Sequence, residues 1–331
     1  MAITQRERYL GAMVGTGIGD AFGAPVEWFT PAKVAEYFTE HGYAFRDYEN
    51  PWDIKRGKIP PGTVKAGQPT DDSELAAALA QSLVAKKGVC AEDIYYRLRS
   101  FIHDRKSILT DKAFGMGGTL IAALEPATHQ ESVAKFKANE IRTPPSNGSL
   151  MRCIAIPLLY FCRPIDVVVE RAKKQSLVTH QNEESVAACM LFSVYAVLVL
   201  NGLPPSKAWE RAKKLFSRLE PAGLSDEAKR TVLSIEPTMP NYETEMKGKE
   251  GYVVLSLRVA AWASVSATDF RDGIIKAVSV GGDTDTYAAI AGGILGARFG
   301  TQGIPAEWQA VLQGREIMED LASKLYELSF R

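Results

Sequence analysis

Histidine and cysteine are scarce. The 331 residues hold four of each, and Cys90, Cys153, Cys162 and Cys189 stand far apart with no C-x-x-C spacing. This argues against a disulfide frame or a cysteine zinc site and fits reduced, mostly buried thiols, so a cytoplasmic setting is expected. A surplus of either charge is also lacking. Lys+Arg and Asp+Glu both total 39, for a formal net charge of +0. No global basic field draws the chain to nucleic acid or to an anionic membrane. No apolar run approaches the roughly 20 residues of a membrane span. The start, MAITQRERYLGAMVG, mixes charges ahead of a short apolar stretch and does not read as a signal peptide. Period-two alternation is nearly absent, and so are repeats of about 20–50 residues and low-complexity tracts.

What remains is helical patterning. Apolar residues recur at helical spacing over 4–19, 73–86, 92–105, 113–124, 148–161, 164–176, 183–201, 205–219, 251–266, 269–279, 285–298 and 314–329. The expected fold is all-α, one compact domain over residues 1–331, acting as a monomer. Three long irregular stretches, 41–69, 139–148 and 236–250, interrupt it. Loops of that length in a compact helical domain are often functional.

Chemistry concentrates at two helix mouths. Residues 281–292 read GGDTDTYAAIAG, and residues 70–74 read TDDSE ahead of an alanine-rich helix. Taken alone, either acidic pair reads as helix capping, since carboxylates are favoured at the positive end of a helix. Two such mouths, far apart in sequence, can converge into one anionic, all-oxygen site. That ligand set suits a hard cation such as Mg²⁺, Mn²⁺ or Ca²⁺, and the absence of His and Cys from both motifs argues against zinc. An EF-hand loop beginning at Asp283 fails, because its sixth and twelfth positions are Ala288 and Ile294. A dinucleotide loop at GTGIGDAFG (15–23) fits poorly, because a charged helical segment precedes it, not a strand.

Five segments occur in order: GAMVGTGIGDAFGAPVEW, PTDDSELA, SNGSLMR, SLVTHQNEES and GGDTDTYAAIAGGILGA. Together they resemble the ADP-ribosylglycohydrolase family over nearly the whole chain. The resemblance implies an orthogonal all-α bundle with a cleft holding two Mg²⁺ or Mn²⁺ ions. It implies Thr70, Asp71, Asp72, Asp283, Asp285 and Thr286 as metal ligands. It also implies Glu27 as catalytic base, acting with Asp72 and Asp285. FGMGGT (114–119), through Gly115, Gly117, Gly118 and Thr119, would cradle a diphosphate; close helix packing is the alternative use of such small residues. Asn147, Gly148, Ser149 and His180 would line the ribose and phosphate pocket. Arg152 would neutralise phosphate or sit in a buried ion pair. The stretches 139–145 and 41–69 match no fixed family pattern and would shape the entrance, while Tyr287 could alter the distal ribose pocket.

The implied activity is metal-dependent hydrolysis of the bond between ADP-ribose and its acceptor, an ADP-ribosylated protein or small molecule, with ADP-ribose as product. Arginine on a protein is the leading acceptor. Serine, a nucleic-acid end and O-acetyl-ADP-ribose are alternatives, and no membrane partner is implied. A non-catalytic binder or structural relative is the competing class; the intact ligand set favours the enzyme.

Overall fold

In the computed structural model the described residues are 3–49, 63–111, 115–221 and 223–331. They form sixteen helices: α1 Gln5–Gly23, α2 Pro31–His41, α3 Asp71–Lys86, α4 Ala91–His103, α5 Gly118–Leu124, α6 His129–Lys137, α7 Ala155–Leu159, α8 Ile165–Ser176, α9 Glu183–Leu200, α10 Pro205–Ser217, α11 Asp226–Leu233, α12 Val253–Ser266, α13 Phe270–Ser279, α14 Thr284–Gly303, α15 Ala306–Val311 and α16 Arg315–Ser329. The fold is all-α, as expected. Among the described residues the only sheet is a two-residue antiparallel ladder, Tyr48–Glu49 (β1) on Thr63–Val64 (β2), within the 41–69 stretch. Residues 50–62 of that stretch, and Phe114 of FGMGGT, lie outside the described residues.

The N-terminal glycines explain the centre of the molecule. Gly11, Gly15, Gly19 and Gly23 recur every four residues, so they line one face of α1. That face lies directly on α14. A Cβ on Gly19 would sit 1.9 Å from the Ala288 carbonyl oxygen, one on Gly15 2.3 Å from the Gly292 oxygen, and one on Gly296 1.8 Å from the Gly11 oxygen. GTGIGDAFG is therefore a helix-packing seam, not a nucleotide loop. Backbone-to-backbone contact of this kind leaves no room for a side chain.

Around this pair the chain packs amphipathic helices whose starts are capped by side chains. Thr4 opens α1 in a reciprocal capping box with Glu7. Thr30, Thr128, Asn182, Ser225 and Asp269 accept backbone N–H bonds at the starts of α2, α6, α9, α11 and α13. Helix α9 departs from the sequence reading. Its 18 residues have mean hydropathy 1.7, long and apolar enough to cross a membrane, yet nearly all are buried inside the bundle. It serves as a core helix, apolar on every side.

Two expected helices differ from their patterns. In the described part of the 113–124 pattern, residues 115–124, helix begins at Gly118, because Gly115 is left-handed at φ 75°. The 148–161 pattern yields successive tight turns and then α7. Pro157 has no N–H to extend a helical ladder back to Cys153.

Candidate active site

Thr70 begins α3 as its N-cap, with its hydroxyl accepting from the Asp72 amide at 3.4 Å. Asp283 occupies the same position at the start of α14, but its side chain makes no capping bond. The capping alternative thus holds for Thr70 and fails for Asp283. The Asp283 carboxylate turns sideways and accepts from Asn147 Nδ2 at 2.6 Å. The two helix mouths meet: Asp20, Asp72 and Asp285 bring carboxylate oxygens within 4.8 Å of one another, and so do Glu27, Asp283 and Asp285. Asp285 belongs to both groups. The aspartates are buried, whereas Glu27 is half-exposed.

Asp20 did not figure among the expected site residues, yet it organises this site. From α1 it accepts the Thr70 amide at 3.0 and 3.1 Å, the Ser73 amide at 2.9 Å, and the Ser73 hydroxyl. It thereby locks the first turn of α3. The signal was a single acid in the otherwise uncharged run Gly11–Gly23 of α1, where a carboxylate is costly unless it is used. Glu74 does similar work behind the site, accepting the amides of Ile108 at 2.7 Å and Leu109 at 3.0 Å.

Glu27 is aimed by strained backbone. A one-turn 3₁₀ segment, Ala24–Val26, leads out of α1 and ends at Glu27. The next residue, Trp28, holds φ at 64°, a conformation that costs a bulky residue about 1–3 kcal/mol. It persists because the Trp28 amide donates to the Gly282 carbonyl at 2.6 Å and the Gly282 amide donates to the Phe29 carbonyl at 2.8 Å. Gly281 and Gly282, at φ 70° and 78°, permit the matching turn. The acidic loop and the Glu27 segment therefore hold each other in place.

Negative charge is concentrated at the two helix mouths. Burial, then the charge of Asp20, raises the Asp71 carboxyl to about 7. Burial likewise pushes Asp20, Asp72, Asp283 and Asp285 up, and for Asp285 the Glu27 charge is the next cause. Among the described residues no lysine or arginine forms an ion pair with any of these aspartates. Asp72 Oδ1 is buried with no hydrogen-bond partner among the described residues. An orphaned anionic oxygen within an all-oxygen cluster fits a hard divalent cation. Two carboxylate groups that share Asp285 could hold two. The Thr286 hydroxyl supports both Asp72 and Asp283. Asp71 joins neither carboxylate group; its Oδ1 lies against Gly115, where a Cβ would approach to 2.3 Å.

The other expected residues divide. Gly117 and Gly118 are exposed beside Asp71, and Thr119 Oγ1 pairs with Ser146 Oγ at 3.0 Å. Asn147 bridges Asp283 and, at 2.9 Å, Ser256. Ser149 and His180 are fully buried. Ser149 pairs with Ser176 at 2.8 Å. His180 lies beneath Gly148, its Nδ1 2.8 Å from Thr179 Oγ1, and burial holds its pKa well below the usual value. Arg152 fits neither of its two readings. It is fully buried and donates only to neutral oxygens, those of Gln175, Gly148 and Thr179. Its part is to fix the Gly148 turn. Tyr287 is also fully buried, and its hydroxyl donates to the Glu250 carbonyl at 2.5 Å, so it ties down the 246–252 turn and does not line a pocket.

A sequence profile of the family described as ADP-ribosylglycohydrolase matches residues 1–331. The chain belongs to the ADP-ribosylglycohydrolase family. Proteins of this name are hydrolases. This ADP-ribosylglycohydrolase is 28% identical over 322 residues to ADP-ribosylarginine hydrolase Tri1 of Pseudomonas putida (strain GB-1), covering 97% of this chain and 78% of that one. It is 25% identical over 310 residues to ADP-ribosyl-[dinitrogen reductase] glycohydrolase of Rhodospirillum rubrum, covering 92% and 90%. A solved structure described as an ADP-ribosylglycohydrolase-related protein complex has a TM-score of 0.69 at 27% identity, over 98% of this chain and 99% of that chain.

Proposed function

We propose that this glycohydrolase cleaves the bond between C1 of the distal ribose and arginine on an ADP-ribosylated protein, releasing ADP-ribose. The observation that carries the reading is the pair of carboxylate groups sharing Asp285, with half-exposed Glu27 at the edge of one of them. Asp72, Asp283 and Asp285, supported by Thr70, Thr286 and Asp71, would hold two Mg²⁺ or Mn²⁺ ions. Bound there, such ions would supply Lewis acidity toward the ribose diol and make water more acidic.

The chain's own residues supply the rest. Glu27 accepts a proton from the attacking water, whose oxygen forms the new bond to C1 while the bond to the acceptor nitrogen breaks and its electron pair leaves with the nitrogen. A carboxylate beside C1 also stabilises the positive charge that develops on the sugar. The bracing by Asp20, Asn147 and the Trp28–Gly282 bonds keeps these groups from reorganising as charge moves. The exposed backbone at Gly117 and Gly118 is suited to the diphosphate.

Arginine is favoured because one relative is named for ADP-ribosylarginine and another for an ADP-ribosylated protein, dinitrogen reductase. An acceptor panel tests this: arginine-linked, serine-linked and nucleic-acid-linked ADP-ribose and O-acetyl-ADP-ribose, each with Mg²⁺ and with Mn²⁺. Release of ADP-ribose fastest from the arginine conjugate is expected. Faster release from another acceptor overturns the assignment, and release from none supports a binding protein.

A further inference from the structure

Two segments meet the Gly281–Gly282 turn that leads into Asp283. Along its edge the Trp28 amide donates to the Gly282 carbonyl at 2.6 Å, and Phe29 pairs with Gly282 as an antiparallel bridge. Over its face lies Glu250, the last residue of the irregular 236–250 stretch. A Cβ on Gly282 would come within 2.9 Å of Glu250 Cγ and 3.3 Å of Glu250 Cβ. The Glu250 backbone is fixed in this place. Its carbonyl accepts the Tyr287 hydroxyl at 2.5 Å, and the next carbonyl, that of Gly251, accepts the Asn147 amide at 3.2 Å. Asn147 is the residue whose side chain holds Asp283. Glu250 thus stands at the rim of the acidic cluster.

Glu250 is half-exposed, like Glu27 and unlike the aspartates, and it belongs to neither carboxylate group. Its Oε1 accepts the Gly248 amide at 3.0 Å and the Tyr242 hydroxyl at 3.5 Å. Its other oxygen has no partner among the described residues. A carboxylate with one oxygen to spare therefore stands beside the site and outside the groups suited to cations. With cations on the aspartates, their charge no longer attracts a positively charged acceptor, and Glu27 is committed to the attacking water. Glu250 is then the carboxylate left to attract one; without cations it adds to the same attraction. A guanidinium suits this rim better than an ammonium. Its planar fork bonds a carboxylate at the edge and presents a flat face to an aromatic ring. Trp28, 36% exposed, is on the segment bonded to the same glycine.

We propose that Glu250 is a specificity-determining residue, accepting a charge-assisted hydrogen bond from the guanidinium of the acceptor arginine. The inference rests on the arginine reading above and gives that reading a residue. It assigns the end of the 236–250 stretch to selection of the acceptor. Ligands that lack a positive acceptor gain nothing from Glu250.

The test uses the Glu27→Gln background, where slowed turnover lets an ADP-ribosylarginine conjugate survive titration. The conjugate, and ADP-ribose, which lacks the acceptor, are titrated calorimetrically with the same Mg²⁺ into this protein and into forms that also carry Glu250→Gln or Glu250→Asp. Glu250→Gln removes the charge and keeps an acceptor for the Gly248 amide. It should weaken conjugate binding about tenfold, the lower range for a hydrogen bond to a charged group. ADP-ribose affinity and melting temperature should stay unchanged. Glu250→Asp keeps the charge and should recover part of the loss. In otherwise wild-type protein, Glu250→Gln should raise KM for the conjugate by a similar factor. Unchanged conjugate affinity and KM overturn the proposal. Equal losses on the conjugate and on ADP-ribose overturn it too, because Glu250 would then serve the nucleotide or the fold. A Glu250→Asp form that binds the conjugate no better than Glu250→Gln overturns the role of charge. Wild-type protein that releases ADP-ribose from another acceptor and none from arginine overturns the arginine reading first, and this inference with it.

Discussion

Glu27 differs from every other carboxylate in the cluster by being half-exposed, with its backbone aimed by a strained neighbour. A residue in that position can exchange protons with solvent between turnovers, which suits a general base. Glu27→Gln should lower turnover about 10²–10⁴-fold while ADP-ribose affinity and melting temperature stay near wild type. Steady-state kinetics and calorimetry on one preparation check this; undiminished turnover would leave Glu27 a surface carboxylate. The buried aspartates make a different prediction. Asp71 titrates at 3.8 in its ordinary state and at about 7 in the fold. Between those values the metal-free native state keeps a proton that the unfolded state has lost. Stability is therefore greatest below the lower value, falls as pH rises through the window, and levels above about 7. His180 opposes this, because its depressed pKa removes stability as pH falls through 6.5. Five site aspartates and Glu74, all raised by burial, outweigh one imidazole. Melting in EDTA should fall from pH 5 to pH 7, and the stabilisation given by Mg²⁺ should grow over the same range, since cation binding displaces protons. A melting temperature in EDTA that rises with pH would contradict the buried cluster.

At the scale of elements, the seam between α1 and α14 sets the distance from Asp20 and Glu27 to Asp285. Gly19 is its tightest point on α1, and the atoms facing it belong to the Ala288 backbone, which cannot swing aside. Gly19→Ala should cost about 1–3 kcal/mol through overpacking and weaken metal-induced stabilisation as well. Gly251→Ala, where a Cβ meets nothing within 4 Å, should lie within about 0.5 kcal/mol of wild type. Thermal melts with and without Mg²⁺ compare the two; equal behaviour would mean that the seam does not position the site. The long helices were legible in the sequence because their apolar faces repeat over three or more turns. The α2, α6, α11 and α15 segments were not read as helices. Each is only 6–11 residues long, so periodicity is weak, although Thr30-Pro31 and Ser225 carried start signals. The 148–161 pattern overran because apolar residues buried in tight turns look, in one dimension, like a helix.

At the scale of the molecule, the acidic motifs were legible because like charges placed side by side demand an explanation, and the structure brings both helix mouths together. What the sequence concealed was support that depends on three-dimensional neighbours. Asp20 locks α3 from a different helix, Asn147 braces Asp283 across 136 positions of chain, and Arg152 and Tyr287 face inward. Asp20 stood out only as a lone acid in its helix; for the others, residue type gives no sign of partners that only the fold brings near, the Asp283 and Ser256 side chains for Asn147, the Gln175 and Thr179 groups for Arg152 and the Glu250 carbonyl for Tyr287. The account makes this architecture a scaffold for two cations and one proton-accepting glutamate. The measurement that bears on it most directly is release of ADP-ribose from an arginine-modified protein, followed side by side with Mn²⁺, with EDTA, and with EDTA followed by excess Mn²⁺. The account predicts release with the cation, loss with EDTA and recovery on re-addition; release that continues undiminished in EDTA would contradict it.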